Sequence, residues 1–508
     1  MNINCEKTLS LWNDTFQVPE FDSLKTKFEA DVCIVGAGIT GITTAYLLAR
    51  EGKKVIVLDD GKIGGGETGS TTAHITSVID DRFTEIEKLH GKENTKLAAQ
   101  SQREAINTIE KIIKDENILC DFKRVNGYWF FKSDDKTFEE EYEAAIRAGM
   151  DVEIIDSPIN AFKNWKCLKF SKQAQFHVLK YISALAEAIV RLKGKIFTGT
   201  FVIEIKDEES AVLIKTNSGF TVNAKDAVIA TNSPISDYLS MHTKQVAYRT
   251  YVVAFEIEKN SIPTALYWDT EDPYHYIRIQ PAGDKDEKDI LIIGGEDHKT
   301  GQEKNPQQRF VNLEKWSHEH FENLGETKYK WSGQVLEPID GLSFIGKDPE
   351  NSNHVYIATG DSGMGMTHGT FSGLILCDLI MERENKWAEL YDPKRINLKS
   401  APEFIKEGAT LVSQYIDLVT GGDVKDIGEI KKGEGAVMRD GLDKISIYKD
   451  ESGNVFKFSA LCTHLKCVLS WNEVEKSWDC PCHGSRFDCK GKVLNGPAIS
   501  DMKEVKEN

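Results

Sequence analysis

Cysteine and histidine crowd one short stretch near the C-terminal end. Cys462-Thr463-His464-Leu465-Lys466-Cys467 is followed by Cys480-Pro481-Cys482-His483-Gly484-Ser485. The pattern is C-x-H-x-x-C and then C-x-C-H-G-S, so thiolates and imidazoles arrive as two Cys-plus-His pairs on two short loops. These are soft or borderline ligands that suit iron, zinc or copper. A structural zinc site also takes two Cys and two His, but its usual spacing keeps like ligands close together. Here Cys and His alternate, and Cys467 and Cys482 stand beside them as further thiols. That arrangement favours iron and single-electron chemistry over structural zinc.

A [2Fe–2S] cluster with two Cys on one iron and two His on the other is a Rieske centre, and its His ligands raise the potential over an all-Cys cluster. The two loops resemble the Rieske family in its variant with a clasp disulfide. The resemblance implies that Cys462 and Cys480 hold one iron and that His464 and His483 hold the other. It also implies that Cys467 and Cys482 pair to tie the loops together. High-potential members carry a Ser two residues after the second His ligand and a Tyr two further on. Ser485 keeps the first hydroxyl, whereas Phe487 stands in the Tyr position. Hydrogen bonds to the sulfurs raise the potential, so the expected value lies below the top of the range of roughly −150 to +300 mV. Cys489 falls outside the pattern and is expected to be a free thiol.

The other end of the chain carries a second redox signal. Asp31-Val32-Cys33-Ile34-Val35 is a short apolar run, and Gly36-Ala37-Gly38-Ile39-Thr40-Gly41 follows directly. Residues 42–50 read as a helix and 54–58 as a second strand, ended by Asp59. This is the βαβ unit that binds dinucleotides. The first Gly allows a tight turn, the second lets backbone approach the pyrophosphate, and the third lets helix pack on strand. The helix N-terminus presents free N–H groups and a positive dipole end to the phosphates. Asp59 is placed to accept from a ribose hydroxyl. The spacing alone does not separate FAD from NAD.

The stretch that follows favours FAD. Gly64-Gly65-Gly66-Glu67-Thr68-Gly69-Ser70-Thr71-Thr72-Ala73-His74 is a Gly- and Thr-rich loop. Residues 1–395 as a whole resemble the D-amino-acid-oxidase-like superfamily of FAD enzymes, which includes sarcosine and glycine oxidases. The resemblance rests on the βαβ unit, this loop, and the stretches 227–232, 337–346 and 355–367. It implies an FAD site built from Gly36, Gly38, Ile39, Thr40, Gly41, Asp59, Gly66, Thr71, Thr72 and Val202, completed by Gly363, Met364, Gly365, Met366 and Thr367. In the family the last stretch lays backbone amides against the flavin. Relatives hold a substrate carboxylate with an Arg and a Tyr, a task that suits the guanidinium fork. Arg278 and Tyr276 are candidates for that role, and Tyr248-Arg249 is a second pair. A strand Arg in a surface salt bridge fits either position equally well. Some relatives attach FAD covalently to a His near His74. The spacing here is off by about one residue, so a hydrogen-bonding or buried His is the expectation.

Composition agrees with an ordinary globular chain: 508 residues, 40% hydrophobic and 28% charged, enough for about three domains. A net charge of −17 argues against nucleic acid or an anionic membrane surface as the main partner. No basic run precedes an apolar core at the N-terminus, and no apolar segment approaches the ~18–20 residues of a spanning helix. The expectation is a cytoplasmic protein without membrane insertion.

The expected organisation is an FAD-dependent oxidoreductase domain over 1–395, a helical linker over 396–422 and a Rieske domain over 423–508. The first is α/β and Rossmann-like, interleaved with an α+β substrate domain; the last is small and all-β. Cofactor-binding segments fall at roughly 28–80, 170–235 and 330–390. Residues 101–117, 138–148 and 402–418 read as helices, and 248–295 alternates as sheet. The function expected is oxidation of a small amine or amino acid, with electrons passing from FAD to the [2Fe–2S] cluster and on to an external one-electron carrier. An oxygen-using amine oxidase with an accessory Rieske domain, and a redox-gated binding protein, are the alternatives.

Overall fold

The computed structural model describes residues 8–505 apart from 209, 236–238, 284–286, 351–352 and 420. Strand Phe28–Val35 lies at the centre of an open sheet ordered Phe344–Lys347, Val355–Thr359, Thr221–Ile229, Phe28–Val35, Val55–Leu58, Lys195–Phe197. The pairings from Val355–Thr359 across to Lys195–Phe197 are parallel. A parallel sheet is covered on both faces, which explains why its strands are apolar at nearly every position. Val32, Ile34, Val55 and Val57 face helices Ile39–Arg50, Val178–Arg191 and Gly365–Ile380. Cys33, Val35, Ile56 and Leu58 face the opposite side, closed by the Val202–Glu208 and Ala211–Thr216 hairpin.

A second, mixed sheet runs Thr327–Pro338, Gln245–Glu258, Lys288–Lys299, His275–Gln280, Leu266–Trp268, Lys123–Phe131, Lys166–Gln175, His74–Ile75. The chain moves between the two sheets repeatedly. The cofactor sheet is therefore assembled from distant segments, and the mouth between the sheets is lined by both. The helix expected over 101–117 starts earlier, as Lys92–Glu116, because Gly91 at φ +83° supplies the break before it. Those expected at 138–148 and 402–418 appear as Phe138–Arg147 and Ala401–Ile416.

The C-terminal part is all-β. One three-stranded sheet comprises Glu434–Asp440, Asp443–Lys449 and Val455–Ser459; a four-stranded sheet comprises Ser470–Asn472, Ser477–Asp479, Arg486–Asp488 and Val493–Asn495. The Cys462–Cys467 loop is closed by a bridge between Leu461 and Val468. The Cys480–Ser485 loop is a hairpin end between two strands of the second sheet.

This β part packs directly on the first. Glu475 accepts hydrogen bonds from the Thr8 and Ser332 hydroxyls, and the Asn495 amide donates to Glu67 at 2.9 Å. The Gln302 amide donates to the Pro481 carbonyl at 3.2 Å. The connecting helix is tied to the body by Lys299 and Glu407 at 2.6 Å.

Candidate cofactor and substrate sites

One cavity of about 1000 Å³ opens between the sheets. Its wall begins at the glycine loop. Gly36 sits at φ +108°, and a Cβ there would meet the Ala230 carbonyl oxygen at 2.3 Å. A Cβ at Gly41 would fall 1.9 Å from the Gly36 carbonyl oxygen, so the helix reaches the loop only because Gly41 has none. Gly38 differs: a Cβ there would meet only the Thr68 hydroxyl, at 3.0 Å, and Gly38 borders the cavity. Such an open cradle fits the approach of a pyrophosphate.

Asp59 also lines the cavity. Its carboxylate accepts from the Ala37 N–H at 2.6 Å and the Gly61 N–H at 2.9 Å. Burial, and then the adjacent Asp60, push it up to about 6 despite those bonds. A carboxylate has about four acceptor positions, so two backbone bonds leave capacity for a ribose hydroxyl. Thr40, Gly66, Thr71, Thr72, Val202, Gly363, Met364, Gly365 and Met366 continue the wall. Gly41 lies behind it, and the Thr367 hydroxyl turns back to the Met364 carbonyl at 3.2 Å. Ser10 and Trp12 donate to the Gly69 and Thr71 carbonyls, so the N-terminal segment pins the Thr-rich loop.

Arg278 does not present a fork to the cavity, contrary to the sequence expectation. One terminal nitrogen donates to the Thr72, Ala73 and Phe176 carbonyls at 2.9–3.2 Å, and the other donates to Gln280. Buried cations need partners, and here two segments, Thr72-Ala73 and Phe176, supply three backbone oxygens. The role is structural: Arg278 locks the Thr-rich loop to the second sheet. Tyr276 does border the cavity and shares a 2.6 Å hydrogen bond with Thr250. Tyr248 is not part of the wall. His74 is in the wall with both ring nitrogens engaged, one by the Thr72 hydroxyl at 3.0 Å and one by the Ile277 carbonyl at 3.2 Å. Burial, then Arg278, hold it down to about 3, so this imidazole is neutral.

Sequence reasoning missed the acids. Asp80, Asp297, Glu337 and Asp361 come from four separate segments and interact with one another near Gly363. Asp80 is exposed where it borders the cavity, so solvent there screens part of the effect of burial and of its acidic neighbours. Burial, then Asp81, Asp297 and Asp361, push it up to about 8. Asp297 and Asp361 rise to about 6, mainly through burial. The Ser362 hydroxyl lies against both Asp81, at 2.8 Å, and Glu337. Burial and the neighbouring acids push both of these carboxyls upward. Trp129, Trp268, Tyr274 and Tyr276 line the same cavity.

The cluster loops converge as their spacing demands. Cys467 and Cys482 form a disulfide with Cα atoms 6.4 Å apart, clasping the loops. Cys462 and Cys480 are buried free thiols, and the His464 and His483 rings stand edge-on with centroids 5.2 Å apart. Cys462 is pulled down to about 7, first by the Cys480 thiol, and further by the His464 and Leu465 N–H groups and the Ser485 hydroxyl. His483 is 5% exposed, and neither ring nitrogen has a hydrogen-bond partner in the described structure. A buried polar group without a partner is costly. An iron on one of those nitrogens would remove its share of the cost, so this donor set fits the cluster. Phe487 is fully buried beneath the loops and carries no hydroxyl. Cys489, expected free, is instead disulfide-bonded and does not compete for the clasp.

The cavity also reaches the C-terminal domain. Glu475, Arg486, Asn495, Gly496 and Ala498 belong to its wall, opposite the Thr-rich loop and the strand bearing Arg249. The two cofactor sites are thus neighbours within one molecule.

Comparison with known proteins agrees with this geometry. Residues 31–379 match the FAD dependent oxidoreductase (DAO) family, and residues 422–506 match the Rieske [2Fe-2S] domain. YhfW of Bacillus subtilis (strain 168), which carries the name of a Rieske 2Fe-2S iron-sulfur protein, is 30% identical over 97% of both chains. The gamma-glutamylputrescine oxidoreductase of Escherichia coli (strain K12) is 25% identical over 73% of this chain and 88% of its own. Glycine oxidase from Geobacillus kaustophilus superposes with a TM-score of 0.61 at 18% identity, covering 73% of this chain and all of that one. The glycine cradle, the cavity it opens into and the clasped cluster loops therefore have one reading: the chain belongs to the FAD dependent oxidoreductase family and carries a C-terminal Rieske [2Fe–2S] domain.

Proposed function

We propose that the protein oxidises a small amine and sends the electrons through its own Rieske domain to an external one-electron carrier. The observation that carries this reading is the shared cavity, whose wall contains the glycine cradle, Asp80 and Asp361, and the edge of the cluster domain. Bound FAD supplies hydride acceptance from the carbon beside the amine nitrogen, and the cluster supplies one-electron storage. Everything else falls to side chains.

An amine is favoured over an amino acid because Arg278, the first candidate fork, is sequestered by backbone carbonyls, and Arg249, the second, borders the cavity but is paired with the Glu475 carboxylate at 3.6 Å. Asp80, Asp361, Trp129, Trp268, Tyr274 and Tyr276 give the same cavity carboxyls and aromatic faces. A protonated amine suits both: it neutralises mutually repelling acids, and aromatic faces attract cations. Asp80, held near 8, exchanges a proton close to neutral pH. Its ionised carboxylate oxygen accepts the ammonium proton, leaving the nitrogen lone pair needed for oxidation. Trp129, Trp268 and Tyr276 orient the carbon skeleton and exclude water. Asp59 and the Gly36–Gly41 loop hold the dinucleotide, while Cys462, Cys480, His464 and His483 hold the cluster.

The test is an anaerobic screen of the holoprotein. Mono- and diamines should bleach the flavin band, and α-amino acids of equal size should do so much more slowly. Faster bleaching by amino acids would overturn the amine assignment.

A further inference from the structure

In the docked arrangement the histidine edge of the cluster is turned against the first domain. His242 ends the short helix Leu239–His242 and is 4% exposed. Its ring meets His464 edge-on, with centroids 4.9 Å apart at 79°, and lies 5.9 Å from the His483 ring. The chain on either side of this helix borders the cavity, through Asn232 and Ile235 before it and Arg249 after it.

Gln334 makes the second contact. It sits on strand Thr327–Pro338 opposite Arg249, borders the cavity and is 2% exposed. A Cβ on Gly484, the residue after His483, would lie 2.8 Å from the Gln334 amide nitrogen and 2.4 Å from the Ala247 Cβ. The glycine in the cluster loop thus lets the loop close onto this strand. Neither the oxygen nor the nitrogen of the Gln334 amide has a hydrogen-bond partner among the described residues. A buried amide left unpartnered is expensive. Its position between the cavity and the cluster loop accounts for retaining it.

We propose that His242 and Gln334 are positioning residues that hold the histidine edge of the cluster against the flavin cavity, making transfer between the two cofactors an event within one chain at fixed geometry. This rests on the proposed presence of electron flow from FAD to cluster, but not on the identity of the substrate. The electron balance is simple. Two-electron-reduced flavin gives up one electron, and one ferric ion of the cluster becomes ferrous. The second electron follows only after an external one-electron acceptor has reoxidised the cluster. No swing of the Rieske domain is needed for the first transfer.

The experiment uses the full-length holoprotein, with its flavin photoreduced anaerobically by a deazaflavin and cluster bleaching followed in time. Using light instead of substrate separates this inference from the amine reading, since failure to oxidise any amine leaves the measurement intact. The wild-type rate should not change with protein concentration. His242→Leu and Gln334→Leu should each slow transfer at least tenfold with flavin and iron content retained. His242→Phe, which keeps a ring for edge packing, should recover to within threefold of wild type. The electron paramagnetic resonance g-values of the reduced cluster should shift in His242→Leu, because packing on the His464 ligand changes. If a leucine variant loses iron, His242→Phe and Gln334→Met decide, the latter by keeping side-chain bulk without the amide. Wild-type transfer rates in the iron-replete leucine variants would overturn the proposal, as would a rate proportional to protein concentration.

Discussion

Replacing Glu475 by Ala should release the Rieske domain from its dock. Arg249 is 2% exposed, and its nearest carboxylate is that of Glu475, 3.6 Å away across the domain boundary. Two of its guanidinium nitrogens have no hydrogen-bond partner among the described residues. At an effective dielectric of about 20, unit charges at that separation attract by about 4.6 kcal/mol. Removing one partner of a buried pair costs ~3–5 kcal/mol, because the other charge is stranded. The two routes agree on the scale. Removing the stranded charge as well, with Arg249→Met, should recover most of the loss. The Thr8 and Ser332 hydroxyls also lose an acceptor in Glu475→Ala, but that part does not depend on Arg249. Urea titration followed by cluster absorbance, together with proteolysis across 396–422, gives the double-mutant cycle. A coupling of about 2 kcal/mol or more is expected. Glu475→Ala within about 0.5 kcal/mol of wild type, or strictly additive effects, would refute a charge-locked dock.

Other outcomes follow from the same geometry. His483→Ala should abolish the cluster signal while leaving FAD bound, whereas Gly38→Trp should fill the cradle and expel FAD with the cluster intact; absorbance and iron content of each variant check this. Ser485→Ala should lower the cluster potential by removing a hydrogen bond to Cys462, and Phe487→Tyr should raise it, both read by protein-film voltammetry. Asp80→Asn should weaken cationic amine binding roughly 10–100-fold, the scale of a charge-assisted hydrogen bond of ~1.5–3 kcal/mol. Burial raises Asp80 in the folded protein, so its proton is retained there between the ordinary carboxylate range and about 8. This group therefore favours the folded apoprotein most below about pH 4, and the benefit is lost as pH rises toward 8. Asp80→Asn should remove that part of the pH dependence of thermal unfolding.

Some of this was legible in the chain alone, for physical reasons. Cluster ligands and the glycine loop each sit on one short segment, and their chemistry dictates spacing, so type and order of residues were enough. Gly36 and Gly41 are glycines because backbone oxygens leave no room for a Cβ. The substrate side was not legible. Asp80, Asp297, Glu337 and Asp361 lie on four segments that only the tertiary fold brings together. Arg278 sits in a strand beside Tyr276, as a carboxylate fork would. Its real partners are carbonyls about one hundred to two hundred residues away, which no local pattern reveals. His242 and Glu475 look like ordinary surface residues until the domains are docked.

The proposed passage of substrate electrons to the cluster inside this chain can be observed directly. The direct measurement adds a bleaching amine to the holoprotein without oxygen and freezes it for electron paramagnetic resonance. A Rieske signal rising to about one spin per cluster is expected, absent in His483→Ala although its flavin still bleaches. Full flavin bleaching with no cluster signal in the wild-type protein would contradict it.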